Sequence, residues 1–205
     1  MVAVIDYGVG NLFSLCCSLE AIGADSKVTN DPDEIRRADK IILPGVGAFE
    51  DAARKLHESG LDQVVIDEAN SGKPLLGICL GMQMLFEESH EYGSYKGLGL
   101  LKGSIEPLKG YVPDGLKIPQ MGWNKLIIKK DNPIFKYIKN DDYVYFVHSY
   151  YAHATDDSVI ATTEYGVEVT AAVSKGNIFG CQFHPEKSGD VGLKILKAFC
   201  EEGNV

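Results

Sequence analysis

What is missing from this 205-residue sequence closes off several classes of function. Basic clusters are missing: Lys and Arg never gather beyond a dipeptide such as Lys129-Lys130, and the formal net charge is −9, so the footprint of a phosphate backbone is lacking. Nucleic acid is not expected as a partner. Long apolar runs are missing too. The start, residues 1–5, is interrupted at once by Asp6, and nothing approaches the length of a membrane span or a signal-peptide core. The expectation is a cytoplasmic protein with no membrane association. The cysteines Cys16, Cys17, Cys79, Cys181 and Cys200 form no Cys-x-x-Cys pair and no Cys/His metal spacing, and an odd number in a reducing compartment argues against a disulfide framework. No metal and no other cofactor is expected, and four of the five cysteines read as small core residues. Linkers, repeats and low-complexity tracts are lacking as well. Residues 1–205 therefore read as a single domain, with 45% apolar and 24% charged residues to build a full core.

What is present is centred on residues 72–88, Gly-Lys-Pro-Leu-Leu-Gly-Ile-Cys-Leu-Gly-Met-Gln-Met-Leu-Phe-Glu-Glu. Residues 74–78 read as a buried strand of a parallel sheet, and Leu80, Met84, Leu85, Glu87 and Glu88 as the start of an amphipathic helix. Between them, Gly77, Cys79 and Gly81 have the Gly-x-nucleophile-x-Gly spacing of a strained strand-to-helix turn, with sulfur in place of a hydroxyl. A Cβ at Gly77 or Gly81 is expected to collide in so tight a turn. Cys79 at the positive end of a helix favours thiolate, and the N–H of Leu80 is free to face an oxyanion. The alternative is a buried, inert cysteine in a Gly-rich turn.

Upstream, residues 2–5 read as a strand, Asp6-Tyr7-Gly8-Val9-Gly10-Asn11 as a turn and residues 12–21 as a helix. The third glycine of a dinucleotide fingerprint would fall at Phe13, which speaks against that use of the turn. A strand over 26–29, a short helix opened by Asp31-Pro32 and a strand over 40–43 lead to Pro44-Gly45-Val46-Gly47, ahead of helices over about 48–70. In a parallel sheet this turn lies at the same carboxyl edge as Cys79, where ligands of open α/β sheets bind. Gly45 and Gly47 can turn a backbone N–H toward an oxyanion, complementing Leu80; the alternative is a plain tight turn. After about His90 come strand-like pieces over 98–105, 117–128, 143–152, 159–163, 169–173 and 178–183, read as an antiparallel or mixed extension of the sheet. A helix over 191–202 closes the chain. The fold class is α/β, a three-layer α/β/α arrangement whose central, mostly parallel sheet is extended by antiparallel strands in the C-terminal half.

A cysteine nucleophile needs a base, and five histidines compete. His57 and His90 sit in polar, helix-like surroundings and read as solvated surface residues. His148 and His153 flank the aromatic stretch 146–151 and read as structural. His184 precedes Pro185-Glu186, and the proline forces it into extended conformation. In extended chain, residues i and i+2 point the same way, so Glu186 is expected beside the imidazole. That is the base-and-orienter half of a Cys-His-Glu triad. A thiol sensor built on Cys79 is a competing class, although a sensor has no use for an oriented base.

Together, Pro44-Gly45-Val46-Gly47, Gly77-Ile78-Cys79-Leu80-Gly81-Met82-Gln83 and Gln182-Phe183-His184-Pro185-Glu186 resemble the class I, or triad, glutamine amidotransferases, over essentially the whole chain. More narrowly, the Asp6 to Asn11 turn, Pro119-Gln120-Met121-Gly122-Trp123-Asn124, Phe146-Val147-His148-Ser149-Tyr150-Tyr151 and Lys187-Ser188 resemble the glutaminase subunits of imidazole glycerol phosphate synthases. The resemblance implies Cys79 as nucleophile, His184 as general acid and base and Glu186 as its orienting partner. It implies oxyanion N–H groups from Gly45 and Leu80, Gln83 and Glu91 on the glutamine head group, and His148, Ser149 and Tyr150 along its pocket. It further implies a heterodimer with a (β/α)8 barrel cyclase, met through Asn11, Gly47, Gln120, Trp123 and Lys187, which consumes the ammonia in histidine biosynthesis. The same glutaminase serving another synthase, of the anthranilate, aminodeoxychorismate or nucleotide-sugar type, is the runner-up.

Overall fold

The short apolar runs of the first half are strands whose side chains are divided between two helical layers. The computed structural model describes residues 1–202; the last three residues of the expected 1–205 domain lie outside the described residues. Strands β1 (Val2–Ile5), β2 (Ser26–Thr29), β3 (Lys40–Leu43) and β4 (Leu75–Ile78) run parallel in the order β2-β1-β3-β4. They alternate with helices α1 (Leu12–Ala21), α2 (Pro32–Arg37), α3 (Phe49–Glu58) and α4 (Leu61–Asn70). Val2, Val4, Ile42, Leu76 and Ile78 pack with Leu15 and Leu19 of α1 and with Ile195, Leu196 and Phe199 of the C-terminal helix, Gly189–Glu201. Ala3, Ile5, Ile41, Leu43 and Leu75 pack on the opposite face with Ile35, Phe49, Leu56 and Val65 of α2 to α4. Successive strand residues face opposite layers, so strands covered on both faces are apolar throughout.

The second half extends this sheet less completely than expected. Between β4 and the next strands comes α5 (Leu80–Met84), followed by β5 (Glu88–Ser89), β6 (Tyr95–Lys96), β7 (Gly103–Pro107), β8 (Gln120–Lys125) and β9 (Ile127–Ile128). Then come β10 (Tyr143–His148), β11 (Tyr150–Ala154), β12 (Val159–Glu164), β13 (Glu168–Lys175), β14 (Ile178–Cys181) and α6, the C-terminal helix. Among the described residues the main sheet runs β2-β1-β3-β4-β14-β13-β12-β9, with β14 parallel to β4 and the last three strands antiparallel. Strands β8 and β10 instead form a separate ribbon, and β11-β7-β5-β6 a small second sheet. The expected strand over 143–152 bends at Ser149, so its two halves take different partners.

The amphipathic helix expected after Cys79 is a correction of a similar kind. It ends at Met84, residues 80–86 are all buried, and Glu87 and Glu88 lie beyond it. The N–H groups of Leu98, Leu100 and Leu101 bond the carbonyls of Met84 and Leu85. Those bonds satisfy the orphan acceptors of the helix end, and they keep residues 98–102 out of the strand predicted to begin there. The cysteines also differ from expectation: Cys79 and Cys181 are buried, Cys16 and Cys200 are half-buried and Cys17 is exposed, because α1 turns Leu15 and Leu19 inward. Among the described residues no helix is long and apolar enough to cross a membrane.

The strand order places the functional turns. From β1 the chain crosses to β2 on one side and then to β3 on the other, leaving a crevice at the carboxyl ends of β1 and β3. The segments leaving β1, β3, β4 and β14 converge there.

Candidate active site

Cys79 leaves β4 with φ 53° and ψ −110°, a conformation that costs an ordinary residue about 1–3 kcal/mol. Packing holds it. The Cys79 N–H donates to the Cys181 carbonyl at 2.7 Å, and its carbonyl accepts from Gln83 N–H at 3.1 Å. A Cβ on Gly81 would stand 1.9 Å from the Leu43 carbonyl oxygen, and one on Gly45 would stand 2.6 Å from the Gly81 nitrogen. The turn after β3 is thus locked against the elbow with no room for a side chain at either place. Leu80 opens α5, so its N–H has no intrahelical acceptor.

His184 and Glu186 complete the arrangement. The ring Nδ1–H donates to Glu186 Oε1 at 2.8 Å, and the ring interacts with Cys79 across the cavity both line. Burial alone pulls the imidazole pKa down, but the hydrogen bonds and charges of Cys79 and Glu186 outweigh it and push the value up to about 9. The contact was expected from extended spacing, and the backbone corrects the reason: Pro185–Lys187 is a 3-10 turn. Ser188 Oγ–H donates to the His184 carbonyl at 2.6 Å and His184 N–H to the Tyr145 carbonyl at 2.9 Å, so the segment is anchored on both sides.

A cavity of about 650 Å³ opens above Cys79. Leu80, Gln83, Glu91, His148, Ser149, Tyr150 and His184 line it, as do Asn11, Gly47 and Lys187. Gly45 does not line it; packed behind Leu80, it leaves the cavity wall to Val46 and to Gly47, whose φ is 97°. Glu91 Oε2 accepts the Phe49 N–H at 2.5 Å, at the start of α3. Gln83 Nε2 donates to the Tyr150 carbonyl at 3.1 Å. His148 donates Nδ1–H to the Tyr150 carbonyl at 2.8 Å, and burial lowers its pKa to about 4, so it stays neutral beside a cationic His184.

The other histidines lie apart from the residues expected to meet a partner. His57 and His153 are exposed, while His90 follows β5 instead of lying in a helix and sits 2.8 Å from Glu106 Oε1. Trp123 is 52% exposed, and the Lys187 ammonium lies 6.0 Å from the Tyr145 ring. Gln120 is fully buried and not on the expected surface, because β8 alternates and the register that turns Met121 and Trp123 outward turns Gln120 inward. Among the described residues no cluster of His, Cys, Asp and Glu is arranged to hold a metal.

Sequence reasoning assigned no role to Tyr7 or Gln182. The buried Tyr7 hydroxyl donates to the Pro44 carbonyl at 2.7 Å, and burial, then the charge of Cys79, pushes its pKa up. The period-2 rule applied backwards from His184 would have pointed at Gln182.

Comparison with known proteins places this geometry. The family model for glutamine amidotransferase class-I matches residues 3–202. The chain belongs to the class I glutamine amidotransferases. As a class I glutamine amidotransferase it is a glutamine-hydrolysing enzyme. A protein of Caldanaerobacter subterraneus subsp. tengcongensis named imidazole glycerol phosphate synthase subunit HisH is 54% identical, covering 98% of each chain. One of the same name from Wolinella succinogenes is 48% identical over 99% of this chain and 100% of its own. Among solved structures, PurLQS from Thermotoga maritima superposes with a TM-score of 0.75 at 23% identity, over 97% of this chain and 96% of that one, a likeness of fold.

Proposed function

We propose that this class I glutamine amidotransferase is the glutaminase subunit of an imidazole glycerol phosphate synthase. The observation that carries the reading is a single imidazole, that of His184, bonded to Glu186 and sharing the lining of one cavity with Cys79, whose interaction raises its pKa. The chemistry uses the Cys79 sulfur as the nucleophile and a protonated His184 as the acid. The sulfur attacks the side-chain carbonyl carbon of glutamine, and His184 gives its proton to the departing nitrogen as the C–N bond breaks. Ammonia leaves and a γ-glutamyl thioester remains. Neutral His184 then takes a proton from water as that water attacks the thioester, and the C–S bond breaks to release glutamate. The oxyanion formed in each step would lie between the Leu80 N–H and an N–H of the Gly45 to Gly47 turn. Gln83, Glu91 and the His148 to Tyr150 segment would hold the head group.

Ammonia protonated in water is no nucleophile, so a partner must cover the cavity and take it up. The name carried by relatives about half identical to this chain supports a cyclase subunit as that partner, and Asn11, Gly47 and Lys187 at the cavity, with Trp123 exposed on β8, supply a face for it. The test is formation of imidazole glycerol phosphate by the chain mixed with a cyclase subunit. Glutamine should support it in the unsubstituted protein, and only ammonium salts should support it in Cys79→Ala. Glutamine-dependent product from Cys79→Ala would refute the nucleophile; anthranilate-type synthesis in place of imidazole glycerol phosphate would refute the partner.

A further inference from the structure

The Cys79 sulfur has a second buried polar neighbour besides His184. Gln182, fully buried just beyond β14, points its Nε2 at Cys79 Sγ at 3.6 Å, a hydrogen-bond length for an acceptor as large as sulfur. The register of the sheet makes this contact: Gly180 pairs with Gly77 and Cys181 with Ile78, so the residues that follow, Gln182 and Cys79, leave adjacent parallel strands side by side. The backbone of Gln182 is held independently, its N–H donating to the Ala171 carbonyl at 2.9 Å.

The direction of the amide follows from its other contact. Gln83 Nε2 faces two acceptors, the Tyr150 carbonyl at 3.1 Å and Gln182 Oε1 at 3.0 Å. A carbonyl oxygen accepts only, so Gln83 must present its NH2 to Tyr150, and Gln182 must then present its oxygen to Gln83. That leaves an N–H of Gln182 for the sulfur. A buried amide is costly compared with an apolar residue unless each end is bonded, and here one of the two bonds is to the nucleophile.

We propose that Gln182 is a further catalytic residue of this glutaminase, donating an N–H to the Cys79 thiolate. The inference rests on Cys79 being the nucleophile. The bond favours the anion before attack, when the C–S bond forms, and favours it again when that bond breaks and the electron pair returns to sulfur. It also ties the nucleophile to the glutamine pocket through Gln83 and Tyr150. The titratable groups around the sulfur are His184, the Tyr7 hydroxyl and the Cys181 thiol. Tyr7 is committed to the Pro44 carbonyl and Cys181 lies toward the Gly77 carbonyl at 3.8 Å, so neither replaces the Gln182 donor.

The experiment is iodoacetamide alkylation of the full chain, read by mass spectrometry on the peptide carrying Cys79, with exposed Cys17 as internal control. In Gln182→Met, which loses the donor at similar volume, Cys79 should react about tenfold more slowly at pH 7, the effect of losing one hydrogen bond to a charged acceptor. At pH 10, where the thiolate forms without help, the two proteins should agree within about twofold. Gln182→Glu keeps the acceptor for Gln83 and replaces the donor, so it should be slower again at pH 7, its lower melting temperature, from a carboxylate buried without a cation, being read in parallel to show that it is folded. It decides the matter if the methionine variant does not fold. Alkylation of Cys79 at the parental rate at pH 7 in a folded variant overturns the proposal. Turnover surviving in Cys79→Ala would instead overturn the triad, which separates the two failures.

Discussion

His184 Nδ1 and Glu186 Oε1 lie 2.8 Å apart with side chains only 2% and 3% exposed, and the second oxygen of Glu186 is buried with no hydrogen-bond partner. A carboxylate held so dry depends on the imidazolium beside it, and the imidazolium depends in turn on the carboxylate. The bond fixes one nitrogen of the imidazole on Glu186, which orients the ring and leaves its other nitrogen for the nucleophile.

Glu186→Gln should therefore leave the ring in place but remove its charge partner, lowering kcat by ~10²–10⁴-fold. His184→Ala should cost more, because it removes the proton carrier. Steady-state glutamate release measures both, and a loss at Glu186 equal to that at His184 would contradict the roles assigned.

The two buried histidines should shape stability against pH in opposite directions. His184 has its pKa raised to about 9, so the folded state holds the extra proton between about 6.5 and 9 and stability falls as pH rises through that window. His148 has its pKa lowered to about 4, so the unfolded state holds the extra proton between about 4 and 6.5 and stability falls as pH falls through it. Melting temperature against pH should show both limbs. His184→Asn should flatten the alkaline limb and His148→Asn the acid one; a substitution that leaves its limb unchanged counts against that assignment.

Gly81→Ala should destabilise the chain by about 3 kcal/mol or more, since the methyl would meet the Leu43 carbonyl oxygen at 1.9 Å and overpacking of a rigid site costs in this range. Urea denaturation measures it, and a stable, active Gly81→Ala protein would mean the elbow yields.

Trp123→Ala should shift the melting temperature by no more than a degree or two, because the ring is 52% exposed and meets Tyr145 only edge-on at 6.0 Å between centroids. If the exposed tryptophan anchors a cyclase subunit, its loss should weaken association by about thirtyfold. Calorimetric titration of one subunit with the other reads the affinity, and unchanged binding would move the partner face elsewhere.

Period and turn chemistry act within a single stretch of chain, and what they govern was legible in the sequence: the buried strands of the first half and the strained elbow at Cys79, while the pairing of His184 with Glu186 was expected from an extended chain and is made by a 3-10 turn. They were least reliable where an element's length depends on something distant. Helix α5 stops at Met84 because residues 98–101 cap it, and the strand over 143–152 divides at Ser149 because its halves find different partners. Burial of Gln120 beside exposed Trp123 follows from which face of β8 is covered. The neighbours of the sulfur were decided last of all. Only the register of β14 on β4 sets Gln182 against Cys79, and only the packing of Gly45 on Gly81 hands the cavity wall to Val46. Amino-acid order determines which groups a turn can present, but the distance between two turns is set by strand register and side-chain packing, which exist only once the sheet has closed.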